Sequence, residues 1–269
     1  MNRIAAIQMA SGPNLNANLI EADKLIGQAA ASGAKLVVLP ENFALMGRVE
    51  TEKVDIREHE DDGQIQDFLT QQAIKHDIWI VGGTIPLVSD NPNKAYASCL
   101  VFNNEGQRIA RYDKLHLFDV LLEESQESYT ESATIEAGHS LVTVDTPFGC
   151  MGITVCYDLR FPELYRSLIN KGVDFFVVPA AFTAMTGKAH WETLVRARAI
   201  ENLSYVIAAA QGGFHVNGRA THGHSMIVDP WGTILDHRPQ GSGFVIADIN
   251  LDQLTSTRRN FPALDHRRQ

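Results

Sequence analysis

Cysteine is scarce in this chain: Cys99, Cys150 and Cys156 are the only three in 269 residues. No two of them form a Cys-x-x-Cys pair, so no disulfide framework is available, and a reducing cytoplasm fits that usage. Positive charge is also short, with 23 Lys and Arg against 32 Asp and Glu and a net charge of -9. That balance argues against a broad nucleic-acid surface, and any anionic substrate needs a local basic pocket. No apolar run is long enough to span a bilayer. The opening Met1–Ala10 is too short and too interrupted for a signal peptide and reads as a first strand. Ser/Gly/Pro-rich linkers and low-complexity segments are missing, which predicts a single domain over residues 1–269. The pairs Gly82-Gly83 and Gly212-Gly213 follow strand-like runs but lack any phosphate-loop pattern.

What is present is an alternation of strand-like and helix-like segments, expected to give an α/β fold with a many-stranded sheet covered by helices. Strands are predicted at Ile4–Met9, Lys35–Leu39, Trp79–Thr84, Ala97–Phe102 and Gln107–Tyr112. In the second half they are predicted at Leu141–Asp145, Gly149–Val155, Phe175–Pro179, Tyr205–Gln211, Ser225–Val228, Thr233–Leu235 and Gly243–Ile249. Amphipathic spacing predicts helices at Asn16–Ala31, Gln64–His76, after Pro162, at His190–Asn202 and from Leu251. Trp191, Leu194 and Ile200 fall on one helical face and read as core, while Arg196, Arg198 and Glu201 read as a structural ion-pair network. The acidic stretch Val120–Ser140 fits neither period and reads as a long irregular, functional loop.

Three strand ends carry groups with chemistry. Glu41 follows Leu36–Leu39 and Pro40, and is either a solvated strand end or a site group at a sheet edge. Lys114 follows the strand ending at Tyr112 and sits among apolar residues, where it must snorkel or find a carboxylate. His116 beside it is a second candidate for chemistry or a structural hydrogen-bonder. Cys156 stands where the run Gly149–Val155 gives way to the helix after Pro162. At such a corner a thiol is held rigidly and nearby helix N–H groups favour the thiolate. Cys99 and Cys150 lie inside strand runs and read as inert. A carboxylate, an ammonium and a thiol together suit thiol attack on a carboxamide, which needs a proton shuttle and an oxyanion partner. His215, His222 and His224 have no Cys or carboxylate at ligand spacing, so they read as hydrogen-bonding residues rather than a metal site.

The blocks Leu39-Pro40-Glu41-Asn42, Tyr112-Asp113-Lys114-Leu115-His116-Leu117 and Cys156-Tyr157-Asp158-Leu159-Arg160-Phe161-Pro162-Glu163 resemble the three catalytic blocks of the nitrilase superfamily of carbon–nitrogen hydrolases, in order and spacing. The resemblance implies a four-layer α-β-β-α sandwich and a Glu41-Lys114-Cys156 triad without metal or organic cofactor. It implies Glu131 as a supporting glutamate, with Glu127 a nearby competitor, and the Tyr157 N–H as an oxyanion donor. Within that balance Lys114 favours the thiolate and Glu41 opposes it, poising the site near neutrality. Thr186–Glu192 and Arg196–Asn202 resemble blocks of the amidase branch, shared by omega-amidases and deaminated-glutathione amidases. Ala208–Gln211 and the terminal His266-Arg267-Arg268 are closer to the latter. The expected reaction is therefore hydrolysis of deaminated glutathione to 2-oxoglutarate and cysteinylglycine. The alternatives are the omega-amidase reaction on 2-oxoglutaramate and a non-enzymatic binding protein on the same fold. The implied partner is a small amide substrate bearing a carboxylate, anchored by Arg160 with Thr186, in the loop before His190, as a second candidate. Arg219, Lys188 and His222 are candidates for a further cation near the leaving group. No nucleic acid or membrane partner is implied. The resemblance also implies a homodimer through helices near Pro162–Asn170 and His190–Asn202, and the cysteine usage a cytoplasmic location.

Overall fold

The structure, a computed structural model, describes residues 2–122 and 127–268. The first half runs β1 (Asn2–Gln8), α1 (Leu15–Ala31), β2 (Leu36–Val38), a short α2 (Glu52–Asp55), α3 (Gln64–His76) and β3 (Trp79–Val81). It continues through β4 (Ile85–Val88), β5 (Ala95–Phe102) and β6 (Arg108–Asp113). The hairpin β7 (Asp119–Leu122) and β8 (Glu127–Thr130) follows, and β9 (Ile135–Glu136) returns beside β5. The second half runs β10 (Thr143–Thr146), β11 (Gly149–Ile153), α4 (Pro162–Ile169), β12 (Phe175–Ala180), α5 (Ala184–Asn202) and β13 (Tyr205–Ala210). A small hairpin, β14 (Gly212–Phe214) and β15 (Ala220–His222), precedes β16 (Ser225–Val228), β17 (Ile234–Arg238), β18 (Gly243–Ile249) and α6 (Leu251–Asn260).

Two sheets result. One has the order β18-β1-β2-β3-β5-β4, with β6 and β9 also on β5; the other has the order β10-β11-β12-β13-β16-β17. The last strand closes the first sheet by pairing along all of β1, from Asn2↔Ile249 to Gln8↔Gly243. β1, β2 and β3 are parallel, as are β11, β12 and β13. Strands buried on both faces read as unbroken apolar runs, and the period of two decides which layer each residue serves. Ile4, Ala6, Leu36 and Val38 pack with Met151, Ile153 and Val177 between the sheets. Ala5, Ile7, Val37 and Leu39 pack with Leu25 and Ile26 of α1 and with Ile65 and Leu69 of α3. On the far side α4 and α5 bury Leu164, Tyr165, Leu168, Trp191 and Val195 against the second sheet. The layers are therefore α-β-β-α. Among the described residues no helix is long and apolar enough to cross a membrane.

Helix α2 and strands β4, β14 and β15 are not among the predicted elements, and three further readings differ from the sequence expectation. Helix α5 begins at Ala184, two turns before His190, so Thr186 lies in its first turn and not in a loop. Thr183 caps it, accepting from the Thr186 N–H at 3.3 Å. Gly187, which reads as a breaker, is there because a Cβ would fall 2.2 Å from His222. Val120–Ser140 is largely regular: strands β7, β8 and β9 and a 3₁₀ turn at Glu131–Ala133 occupy it, and residues 123–126 lie outside the described residues. Ile200 is 47% exposed, although Trp191 on the same helix is fully buried. The stripe of α5 that faces the sheet is narrower than the apolar spacing suggests.

Candidate active site

The three candidate groups all stand just past strand ends on one side of the two sheets, the edge at which open α/β sheets bind ligands. Strand β2 is followed by Pro40 and Glu41, after which Asn42 takes a left-handed φ of 56°. That turn is pinned by the Asn42 N–H, which donates to Thr84 Oγ1 at 2.9 Å, and by Gln211 Nε2, which donates to the Glu41 carbonyl at 3.1 Å. Lys114 follows β6 directly. Its N–H donates to the Ala97 carbonyl at 3.0 Å, and its carbonyl accepts from the Gly138 N–H at 2.9 Å. Gly138 must be glycine here, since a Cβ would lie 2.1 Å from the Asp113 carbonyl oxygen.

Cys156 has a φ of 47°, which is uncommon and strained for a non-glycine residue, and it opens a 3₁₀ turn, Cys156–Arg160. The buried carboxylate of Asp158 holds that turn, accepting from the Val155 N–H at 2.8 Å. Asp158 also accepts from the Tyr112 hydroxyl at 2.6 Å and from the His116 N–H at 3.1 Å, and meets His116 Nδ1 at 2.7 Å. One buried acid thus ties the Cys156 turn to the segment carrying Lys114. His116, stacked on Phe161 with centroids 3.7 Å apart, is a structural partner of Asp158. The sequence pattern did not single out Asp158 or Tyr112. The only available signal was an acid two residues past a cysteine in an otherwise apolar corner.

The side chains converge. Lys114 Nζ donates to Glu41 Oε1 at 2.8 Å and to both Glu131 oxygens at 2.9 and 2.8 Å. Glu131 Oε2 also accepts from the Phe118 N–H at 2.6 Å, so it is Glu131 of the two loop glutamates that meets Lys114. Glu41 is 3% exposed and Lys114 1%. Burial works against the ionisation of Glu41, but the Lys114 charge and hydrogen bond overcome it and hold the carboxyl below its ordinary range. Burial likewise opposes the Lys114 ammonium, and the charges of Glu131 and Glu41 push its pKa well above the usual lysine value.

Burial, then the Glu41 charge, push the Cys156 thiol well above its ordinary range, against Lys114 and the Ala181 N–H, which points at Sγ from 3.5 Å. This corrects the expectation of a site poised near neutrality. Cys156 opens a 3₁₀ turn, the following α-helix, α4, starts only at Pro162, and two carboxylates surround one ammonium. These directions favour a neutral thiol beside an ionised Glu41. A carboxylate so placed can accept the thiol proton. Burial raises the pKa of Cys99 and Cys150 too, but among the described residues neither has a lysine partner, and neither lines the cavity on which Cys156 opens.

These groups open on a cavity of about 410 Å³. Its walls include Glu41, Lys114, Glu131, Cys156 and Tyr157 on one side, and Phe182, Thr183 and Thr186 at the start of α5. Asn217, Gly218 and Arg219 line it from the β14–β15 connection, and Arg48, Glu50 and Lys53 from the segment around α2; the sequence pattern did not mark this last wall. Among the described residues the Tyr157 N–H has no acceptor. Arg160 is not a lining residue. Its guanidinium lies over the rings of Phe182 and Tyr157 at 5.3 and 5.9 Å and meets His190 Nδ1 at 3.3 Å, at the edge of the wall that carries Thr186. Lys188 is exposed and lies outside the lining. His222 stacks on His224, whose Nδ1 meets His237 Nε2 at 2.8 Å. Among the described residues no group of three or more His, Cys, Asp or Glu is arranged to hold a metal ion.

The carbon-nitrogen hydrolase family model matches residues 3–259, and the chain belongs to that family. It is 48% identical over 266 residues to a deaminated glutathione amidase of Synechocystis sp., covering 98% of this chain and 97% of that protein. It is 40% identical over 269 residues to the human deaminated glutathione amidase, covering 98% of this chain and 82% of the human one. The crystal structure of Saccharomyces cerevisiae Nit3, a member of branch 10 of the nitrilase superfamily, superposes with a TM-score of 0.89 at 31% identity, covering 100% of this chain and 97% of Nit3. The protein is accordingly a carbon–nitrogen hydrolase of the nitrilase superfamily.

Proposed function

We propose that this hydrolase cleaves deaminated glutathione to 2-oxoglutarate and cysteinylglycine through a thioester on Cys156. The observation that carries the reading is Lys114 Nζ bridging Glu41 and Glu131 in the cavity that the Cys156 thiol also lines. Glu41 takes the Cys156 proton as sulfur bonds to the amide carbon. The oxyanion is held by Lys114 and by the free Tyr157 N–H. Collapse breaks the C–N bond, and the leaving nitrogen takes the proton from Glu41. Glu41 then deprotonates a water that attacks the thioester, and the second collapse releases the acid and returns the proton to sulfur. Glu131 keeps Lys114 charged and aimed.

The oxo-acid carboxylate belongs at the start of α5. Thr183 and Thr186 line the cavity there, and the Arg160 guanidinium lies over Phe182 of the same wall. We also read the protein as a homodimer through the outer faces of α4 and α5, where Ile200 is exposed.

Turnover of three compounds tests the substrate. Deaminated glutathione should exceed 2-oxoglutaramate by at least about tenfold in kcat/KM, about 1.4 kcal/mol. Glutathione, with an ammonium in place of the keto group, should be poor. Equal or reversed preference between the first two would make this an omega-amidase.

A further inference from the structure

We infer that Arg219 reads the free carboxylate of the leaving group and so sets a preference for a dipeptide amine over ammonia. The inference rests on the proposed amidase reading and adds to it a specificity residue. Four cations line the cavity, and three are committed. Lys114 is held by Glu41 and Glu131, Lys53 meets Glu50 at 2.7 Å, and Arg48 lies 3.9 Å from Glu52. Arg219 has no carboxylate within 4 Å among the described residues. One terminal nitrogen donates to the Ala181 carbonyl at 2.6 Å, its guanidinium lies 5.1 Å from the Tyr129 ring centroid, and its buried Nε has no partner there.

Its position is built rather than incidental. The β14–β15 connection is held by buried His215, whose Nδ1 meets the Ser11 carbonyl and whose Nε2 meets Thr221 Oγ1, both at 2.8 Å. The His215 N–H donates to the Arg219 carbonyl at 2.8 Å, and Asn217 Nδ2 donates to the Gly47 carbonyl at 3.0 Å, tying this loop to the opposite wall. A guanidinium held this way gives up little freedom on binding.

The reach also fits. Ala181 offers its N–H to Cys156 Sγ and its carbonyl to Arg219, so the two groups stand no more than about 10 Å apart. A two-residue leaving group extends about 7 Å beyond the scissile carbonyl. Its terminal carboxylate can therefore meet the guanidinium while the carbonyl lies on sulfur. Ammonia reaches nothing there.

The test compares deaminated glutathione, the same compound with its terminal carboxylate converted to a carboxamide, and 2-oxoglutaramate. Wild type should prefer the free carboxylate over the carboxamide by at least about tenfold in kcat/KM. In Arg219→Gln that preference should vanish, and the ratio of deaminated glutathione to 2-oxoglutaramate should fall by a similar factor. Arg219→Lys should restore part of the preference. Equal wild-type rates on carboxylate and carboxamide would overturn the assignment with no variant needed. So would a loss in Arg219→Gln that is the same on all three compounds. If wild type turns over 2-oxoglutaramate but not deaminated glutathione, the substrate reading itself fails, and that is visible before any variant is made.

Discussion

At the scale of single residues, the proposed mechanism keeps the proton on sulfur until substrate arrives. Glu41 is held ionised by Lys114, and Cys156 is held neutral by burial and by Glu41. The pH dependence follows. On the acid side kcat/KM should fall only as Glu41 protonates, below the ordinary carboxylate range. On the alkaline side the thiol stays protonated, so the profile should be flat from roughly pH 6 to 8.5. A rise with an apparent pKa near 7 would mean that a thiolate is the resting nucleophile. Glu41 also contributes stability with a definite sign. Its folded pKa is depressed, so its share is present above about pH 4.3 and is lost as pH falls through the lower folded value. The two charged partners should differ when removed. Glu41→Gln keeps the shape, and turnover should collapse while the fold survives. Lys114→Met should lose about 3 to 4 kcal/mol of transition-state stabilisation. It also leaves Glu41 and Glu131 buried without their cation, which should cost about 3 to 5 kcal/mol of folding stability. Kinetics and a thermal melt on both variants check this; a Lys114→Met protein as stable as wild type would show that the pair is solvated.

At the scale of elements, what could be read from the chain depended on whether local pattern and tertiary role agreed. The runs Ile4–Met9, Lys35–Leu39 and Phe175–Pro179 were legible because strands buried on both faces must be apolar throughout. The first two turns of α5 were not, because Gly187 is chosen for His222 rather than for helix propensity. The hairpin β7–β8 was not, because its side chains alternate between half-buried and exposed and carry no hydrophobic period. Glu41, Lys114 and Cys156 were legible as groups at strand ends, but the state of the thiol was not, since burial enters only with the fold. Gly138 makes an element-scale prediction. Gly138→Ala should push the chain off the Asp113 carbonyl and displace the neighbouring Lys114. Activity should fall at least about tenfold. Full activity in that variant would mean the contact yields without moving the lysine.

At the scale of the whole molecule, the fold brings together groups that no segment holds alone. Two parallel βαβ halves stack face to face, and β18 closes the first sheet onto β1. The first half supplies Glu41 and Lys114 from its sheet and Glu131 from the excursion after β6. The second half supplies Cys156, the Ala181 N–H and the β14–β15 loop with Arg219. Asp158 and Gln211 cross between the halves and keep the pieces in register. Such convergence serves acyl transfer, and the acyl group itself is the most direct witness. Wild type turning over deaminated glutathione should be quenched in acid and its peptides weighed. The account predicts a 2-oxoglutaryl mass on the peptide carrying Cys156, absent from those carrying Cys99 and Cys150 and absent altogether in Cys156→Ala. Turnover by Cys156→Ala above a few per cent of wild type, or an adduct on either other cysteine alone, would contradict it.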